Sequence, residues 1–442
     1  MVEKREQWGS RWGFILATMG SAVGLGNIWR FSFAMGSNGG SAFLIIYLVS
    51  VLLLGFPVML IEFSIGRRSQ ADAVQAFSKL APKKPWFLAG GLGVLAAFLI
   101  LSFYGVIGGW SLRYTFDYMT GGISGDPSDY FSQFIGSAAQ PVAWQFLFMA
   151  LSIGIVYVGV QKGIELTSKV MMPLLSILVV GLAVYSMTLG GTREALAFMF
   201  SPEWSAFTDP NIYLAAMGQA FFTLSLGMGI MLTYSSYLDP ESSLPSSAAI
   251  IIVLDTLFAI ISGLIIFPAL FAFGLDPSEG AGLVFIVLPT IFEGLGGIGT
   301  LVGLIFFILF SLAALSSAIS LLEVSVAYFM RRFNLSRKTT TLLSGIVISL
   351  IGILSSLSQG AVDIEVFGDS FLDFVDAFTG NLLLPLSALI SVLFVTWSWS
   401  TEDILHHTDI HGKAWAEPLI FTAKFIAPIA ILIVLAIGII NW

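Results

Sequence analysis

The chain has 442 residues, 57% of them hydrophobic and only 10% charged, with a formal net charge of −8 and a mean hydropathy of +0.93. Soluble domains carry roughly 25% charged residues, so this composition excludes them and describes a polytopic membrane protein whose surroundings are the lipid bilayer. Cysteine is absent, which removes disulfides, thiol nucleophiles and thiolate metal sites; His406, His407 and His411 share one polar loop and read as a solvated cluster.

The first residues include KREQWGSR, which is polar, and the apolar run after it lacks a small-residue cleavage site, so no signal peptide is expected. A span needs about 20 apolar residues to cross roughly 30 Å of hydrocarbon. That ruler predicts eleven helical spans, at 12–34, 41–66, 86–116, 142–160, 166–189, 211–237, 246–273, 298–329, 340–358, 371–396 and 417–440. The first is poorly made for spanning alone. In GSAVGLGNIWRF, Gly20 to Phe31, three glycines (Gly20, Gly24, Gly26) fall within seven residues, each costing a helix interior about 1 kcal/mol relative to Ala. Asn27 and Arg30 follow at membrane depth. Such a break is tolerated only where the freed backbone is buried in protein or lines a cavity.

The sixth span is interrupted in the same way, by Thr223, Ser225, Gly227 and Gly229 in GQAFFTLSLGMG. Interrupted spans in corresponding positions of two halves mark the binding site of a secondary transporter. Taken singly, Gly20 and Gly24 would read as close helix packing. Between the seventh and eighth spans, Leu283 to Gly299 is apolar but short and broken by Pro289 and glycines; a helical loop is expected, with a re-entrant hairpin as the other option. Basic residues concentrate on the amino-terminal side of the bundle, and only Arg113 and Arg193 fall opposite. The positive-inside rule then puts the amino terminus in the cytoplasm and, with eleven spans, the carboxyl terminus outside.

At the level of motifs, REQWGSRWGFILATMGSAVGLGNIWRF, NGGSAF (Asn38 to Phe43), IEFSIGR (Ile61 to Arg67) and GQAFFTLSLGMG closely resemble the neurotransmitter:sodium symporters, particularly their bacterial hydrophobic amino-acid transporters. The resemblance runs over essentially the whole chain. It implies an all-α five-plus-five inverted-repeat fold in one domain, with repeat one at about 12–189, repeat two at about 211–396 and a peripheral helix at about 417–440. Spans one and six would be unwound at mid-membrane. It also implies sodium as the coupling ion, bound at two sites, with no organic cofactor. The family pattern for the first site falls on Ala22, Asn27, Thr223 and Asp255, and for the second on Gly20, Val23, Ala313, Ser316 and Ser317. Carbonyl and hydroxyl oxygens suit a hard cation, although Ser316 and Ser317 alone would read as helix packing.

Asp255 stands where the family's leucine transporter has Asn, and the usual bacterial glutamate position falls on Ala259. An intramembrane aspartate needs a partner; we expect Asp255 to ligate sodium and supply the charge that chloride brings in animal relatives. The same correspondence places the substrate among Ala22, Gly24, Gly26, Ile100, Tyr104, Phe222, Thr223, Ser225, Met228, Ala318 and Leu321. Gly occupies position 24, where monoamine carriers have Asp, so the expected ligand is a hydrophobic L-amino acid, aliphatic or aromatic.

For gates, the resemblance pairs Arg30 with Asp376 on the outer side and gathers Arg5, Trp8 and Tyr237 on the inner side. The acidic partner of Arg5 falls on Arg331, leaving Glu323 as the substitute. Glu62 matches a helix-bridging glutamate, or is a hydrogen-bonded structural acid. Gly163 and Pro173 match a Gly-x9-Pro segment able to unwind, or mark a plain helix boundary. The expected activity is sodium-coupled symport in the bacterial cytoplasmic membrane, with a proton-coupled permease and a non-transporting amino-acid sensor as the rivals. Nothing resembles a channel filter, a nucleic-acid surface or, at depth, an enzyme's paired acids or His–Ser set.

Overall fold

The structure, a computed structural model, describes residues 6–275 and 283–440. Nine helices among them are long and apolar enough to cross a bilayer: Ser41–Ser69, Phe87–Met119, Gln140–Val158, Val160–Ser186, Leu244–Ala272, Gly296–Arg332, Arg337–Leu357, Phe371–Ser398 and Ala416–Ile440. Two further segments, where spans one and six are predicted, are helical on either side of a break. The first runs Arg11–Ala22, then Gly26–Arg30 and Phe31–Ser37; the sixth runs Pro210–Thr223, then Ile230–Ser235. Polar caps fix their starts. The Ser10 hydroxyl accepts from the Gly13 N–H at 2.9 Å, and Asp209 accepts from the Asn211 N–H at 2.9 Å with Pro210 opening the helix.

The breaks have distinct backbones. Val23 leaves the first helix in an extended conformation (φ −74°, ψ 92°). In the sixth, Ser225, Gly227 and Gly229 take φ of +52°, +76° and +73°, a region that glycine enters freely and serine does at a cost. Around these two interrupted spans the others close a shell. The third and eighth spans pack extensively on each other, the fifth packs on the first and seventh, and the second packs on both halves of the sixth. The freed backbone is therefore buried in protein, as membrane depth demands.

Between the seventh and eighth spans, Leu283–Val287 and Leu288–Gly294 form a short helical segment, with residues 276–282 outside the described residues. Aromatic rings seat it. Phe292 lies edge-on to Tyr118 at 5.9 Å, and Phe285 packs against Trp110 and Tyr114 at 5.6 and 5.1 Å. Only one of the three histidines, His411, lies in a turn; the other two are helical. His406 and His407 end the capped helix Thr401–His407, and His407 rests edge-on against Trp399, ring centroids 5.4 Å apart.

Candidate functional site

The two breaks face each other across a small, partly open cavity with about 330 Å³ of space between atoms in and around it. Nine of the eleven predicted substrate residues line it: Ala22, Gly24, Gly26, Ile100, Tyr104, Phe222, Ser225, Met228 and Leu321. Thr223 and Ala318 do not, and Ser21, Ile230, Ser317 and Ser320 join the lining. The reason is rotational: adjacent helical residues point about 100° apart, so Ser317 and Leu321 face the cavity while Ala318, fully buried, faces the packing around it. Thr223 turns its hydroxyl away toward Asp255.

One pole of the cavity is built from a backbone amide and a phenol. The Leu25 N–H donates to the Tyr104 hydroxyl at 3.3 Å. Gly24 has no room for a side chain, since a methyl there would stand 3.0 Å from that hydroxyl and closer still to the Ser317 hydroxyl. The Leu25 N–H, held only by its long bond to Tyr104, and the phenol together can receive an anion at the start of the helical stretch that follows. Phe222 roofs the cavity, and the Arg30 guanidinium lies over its ring at 4.1 Å. Beyond them opens a larger vestibule lined by Arg30, Asn38, Gln219, Phe222 and Asn381, among others. Among the described residues no carboxylate lies within 4.0 Å of Arg30, so the Arg30–Asp376 ion pair is not formed in this structure.

The predicted ion ligands gather beside the breaks. Asn27 donates through Nδ2 to the Asp255 carboxylate at 2.8 Å and to its backbone oxygen at 3.1 Å, and accepts at Oδ1 from the Gly24 N–H at 3.2 Å. The Thr223 hydroxyl meets both Asp255 oxygens, at 3.3 and 3.2 Å. The buried aspartate thus has two polar partners, one from each broken span. In the second cluster the Ser316 hydroxyl donates to the carbonyls of Ala313 (2.9 Å) and, longer, Val23 (3.4 Å); that of Ser317 donates to the Ser21 carbonyl at 3.0 Å. Gly20 sits against Met172, whose sulfur would be 3.1 Å from a methyl at that position, so the residue before Pro173 borders this cluster. Glu62 is fully buried. One of its oxygens accepts from the Gly227 N–H at 2.9 Å, tying the second span to the break in the sixth, and the other has no partner among the described residues.

The amino-terminal face is closed by a strap. Trp8 donates through its backbone N–H to the Tyr237 carbonyl at 3.1 Å and through Nε1 to the Tyr234 carbonyl at 2.8 Å. Glu165 accepts from the Gly9 N–H at 2.6 Å and the Ser10 hydroxyl at 3.0 Å, and pairs with Lys169 at 2.6 Å. Glu6 accepts from the Val160 N–H at 3.1 Å. The strap is therefore fastened along the wide turn Val160–Glu165 that contains Gly163. Arg5 lies outside the described residues. Glu323, proposed from sequence as its substitute partner, is engaged otherwise: it accepts from the Tyr237 hydroxyl at 2.7 Å and is ion-paired to Arg337, which also reaches Glu6 at 2.9 Å.

The model of the Sodium:neurotransmitter symporter family matches residues 5–127 and 132–442. The chain belongs to this family. Among curated relatives, this symporter chain is 43% identical over 440 residues to the uncharacterized sodium-dependent transporter YhdH of Bacillus subtilis, covering 98% of this chain and 97% of that one. A sodium-dependent transporter of Methanocaldococcus jannaschii is 34% identical, covering 95% and 89%. Among solved structures, the crystal structure of MhsT in complex with L-phenylalanine superposes with a TM-score of 0.92 at 55% identity, covering 97% of this chain and 99% of that one.

Several residues of this symporter's site escaped the sequence reading. Arg337 carries no signal in the sequence beyond its basic charge in an inner segment, and Glu6 and Glu165 carry no motif that marks a site. A buried acid at position 323 signals that a cation is near; which one cannot be read from chain separation. Ser21 and Ser320 gave the weaker signal of hydroxyls one turn from residues already singled out.

Proposed function

We propose that the chain is a sodium-coupled symporter that imports hydrophobic L-amino acids, aliphatic and aromatic, across the bacterial cytoplasmic membrane by alternating access and without chloride. One observation carries this reading: the breaks of spans one and six meet around a cavity that has a backbone amide and a phenol at one pole and mainly apolar side chains below. The substrate's carboxylate belongs at Gly24, Leu25, Gly26 and Tyr104, and its side chain among Ile100, Met228, Ile230 and Leu321. The phenylalanine bound to MhsT, at 55% identity, supports this substrate class.

Sodium is the driving ion and a co-substrate. The first sodium site comprises the Ala22 carbonyl, Asn27, Thr223 and Asp255, completed by the substrate carboxylate; the second comprises the carbonyls of Gly20, Val23 and Ala313 with the hydroxyls of Ser316 and Ser317. Asp255 supplies at the first site the negative charge that would otherwise call for chloride. Two sodium ions crossing with a zwitterion move two charges, worth about 4.6 kcal/mol per 100 mV. With the amino terminus inside, the Trp8 strap closes the cytoplasmic side and Phe222 with Arg30 forms the outer lid, which Asp376 joins when it closes fully. The Gly163–Pro173 segment yields when sodium leaves from the second site, because Pro173 lacks one helix hydrogen bond. The two inverted repeats, at about 12–189 and 211–396, rock around this fixed site.

Uptake of labelled leucine, phenylalanine and tryptophan into proteoliposomes, with sodium, chloride and pH varied separately, tests the reading. Accumulation is expected only with an inward sodium gradient and regardless of chloride. Uptake driven by a proton gradient in sodium-free buffer would favour a proton-coupled permease, and binding without accumulation a sensor.

A further inference from the structure

Three hydroxyls at the lower end of the cavity, one on the predicted substrate residue Ser225 and two on Ser21 and Ser320, have been given no specific partner so far. Ser21, Ser225 and Ser320 all line it and are all buried. The Ser21 and Ser320 hydroxyl oxygens are 2.7 Å apart, and those of Ser21 and Ser225 3.2 Å. They lie on the amino-terminal side of the Tyr104 pole. Ser320 is one turn past Ser317 in the eighth span, and Glu323, the next turn, already bonds the Tyr237 hydroxyl at the strap. Ile100 stands likewise one turn below Tyr104 in the third span.

A donor count shows what this cluster offers. Each hydroxyl has one proton to give and two lone pairs to receive with. The Ser225 proton goes to the Ser21 carbonyl at 3.2 Å and that of Ser320 to the Ser317 carbonyl at 2.8 Å. The Ser21 proton goes to one of its two serine neighbours. All three protons are committed within the cluster, two of them to backbone, and the Tyr234 hydroxyl, which also approaches Ser320, takes up at most one more lone pair. Acceptor capacity is left over, in a wall otherwise made of Ile100, Met228, Ile230 and Leu321. A satisfied cluster of this kind tolerates an apolar side chain without penalty, yet gives a buried donor the partner it would otherwise lack.

We propose that these serines form an acceptor site for the tip of the substrate's ring, selecting aromatic amino acids that carry an O–H or N–H at the far end, as tyrosine and tryptophan do, over otherwise similar rings that carry none. The inference rests on the amino-acid symporter reading and names the substrates within it.

Competition binding to purified protein in sodium buffer decides it, comparing L-tyrosine with 4-fluoro-L-phenylalanine, which is nearly the same size and has no donor. Wild type is expected to bind tyrosine the more tightly. Ser320→Ala is expected to lower the tyrosine-to-fluorophenylalanine affinity ratio by roughly fivefold to tenfold, the worth of one buried hydrogen bond, and Ser320→Thr, which keeps a hydroxyl, to hold it. Reading the ratio within each variant cancels any general loss of binding. Wild type favouring the fluorinated ligand, or a ratio unmoved by Ser320→Ala, overturns the inference; the wild-type comparison decides alone if the alanine variant does not fold. If hydrophobic amino acids bind with no such preference, only this inference fails. If no amino acid binds with sodium, the transport reading fails with it.

Discussion

Replacing Glu323 with glutamine removes one charge from the closed amino-terminal face and leaves its shape intact. The wild-type carboxylate, fully buried, receives the Tyr237 hydroxyl and two guanidinium N–H groups of Arg337. A glutamine has a single acceptor oxygen, so its amide N–H₂ must turn against at least one of these donors. Removing one member of a buried ion pair costs about 3–5 kcal/mol when the other is left alone. Arg337 is not left alone, because it keeps Glu6 at 2.9 Å and the Val156 carbonyl at 3.1 Å. A loss of about 2 kcal/mol is therefore the working figure, and at 1.4 kcal/mol per tenfold it is about a thirtyfold shift toward opening. Since Tyr237 and Glu6 also hold the strap, the shift should appear at the amides of Trp8 and Gly9. Hydrogen exchange of a peptide covering these residues is expected to run about thirtyfold faster in Glu323→Gln, with third-span peptides unchanged. An unchanged rate at residues 8–13, in a protein that still binds sodium and substrate, would refute the claim that this ion pair fastens the strap.

Gly24→Ala would push a methyl group to 3.0 Å from the Tyr104 hydroxyl and into that of Ser317; substrate affinity in sodium is expected to fall at least tenfold by equilibrium binding, and wild-type affinity would count against the carboxylate pole. Asp255→Asn keeps the side chain's size and removes its charge, so uptake is expected to fall more than tenfold at low sodium and to be partly restored by chloride; the same ion dependence as wild type would exclude the charge role. Asp72 caps the helix Ala73–Leu80 through the Val74 and Gln75 N–H groups at 3.1 and 3.0 Å, and burial lifts its carboxyl above the ordinary carboxylate range, with those bonds and Arg331 opposing. A raised folded value means that the charged form is penalised in the fold, so Asp72 contributes most to stability when protonated and least above its folded pKa. Asp72→Asn keeps the capping oxygen without the charge: thermal melting is expected to show no loss at pH 8, and a wild-type advantage that appears only as the pH falls through the carboxylate range. A melting temperature several degrees lower at pH 8 would mean that the ionised cap is stabilising.

The membrane class, the placement of the spans and the existence of the two breaks were all legible in the chain. Their signals are local: runs of about 20 apolar residues, and glycines and polar side chains where a plain span would not carry them. The predicted span limits lie within a few residues of the observed helices, apart from the fifth, predicted from 166 but helical from Val160; Lys162 and Glu165 there read as loop because they are charged. The roles expected for Ala22, Gly24, Gly26 and Asn27 came from the family resemblance, whose motif here is one short stretch of chain. Which residues meet from different spans is another matter. That Glu323 pairs with Arg337, that Glu165 receives the Gly9 amide, and that Ser21 and Ser320 close the same cavity as Tyr104 depend on how each helix is rotated about its axis. Rotation is set by packing among many helices at once. A helix that is apolar nearly all round, as the third span is, carries little mark of which face turns inward, so the chain fixed where it crosses and breaks, while tertiary packing chose the partners.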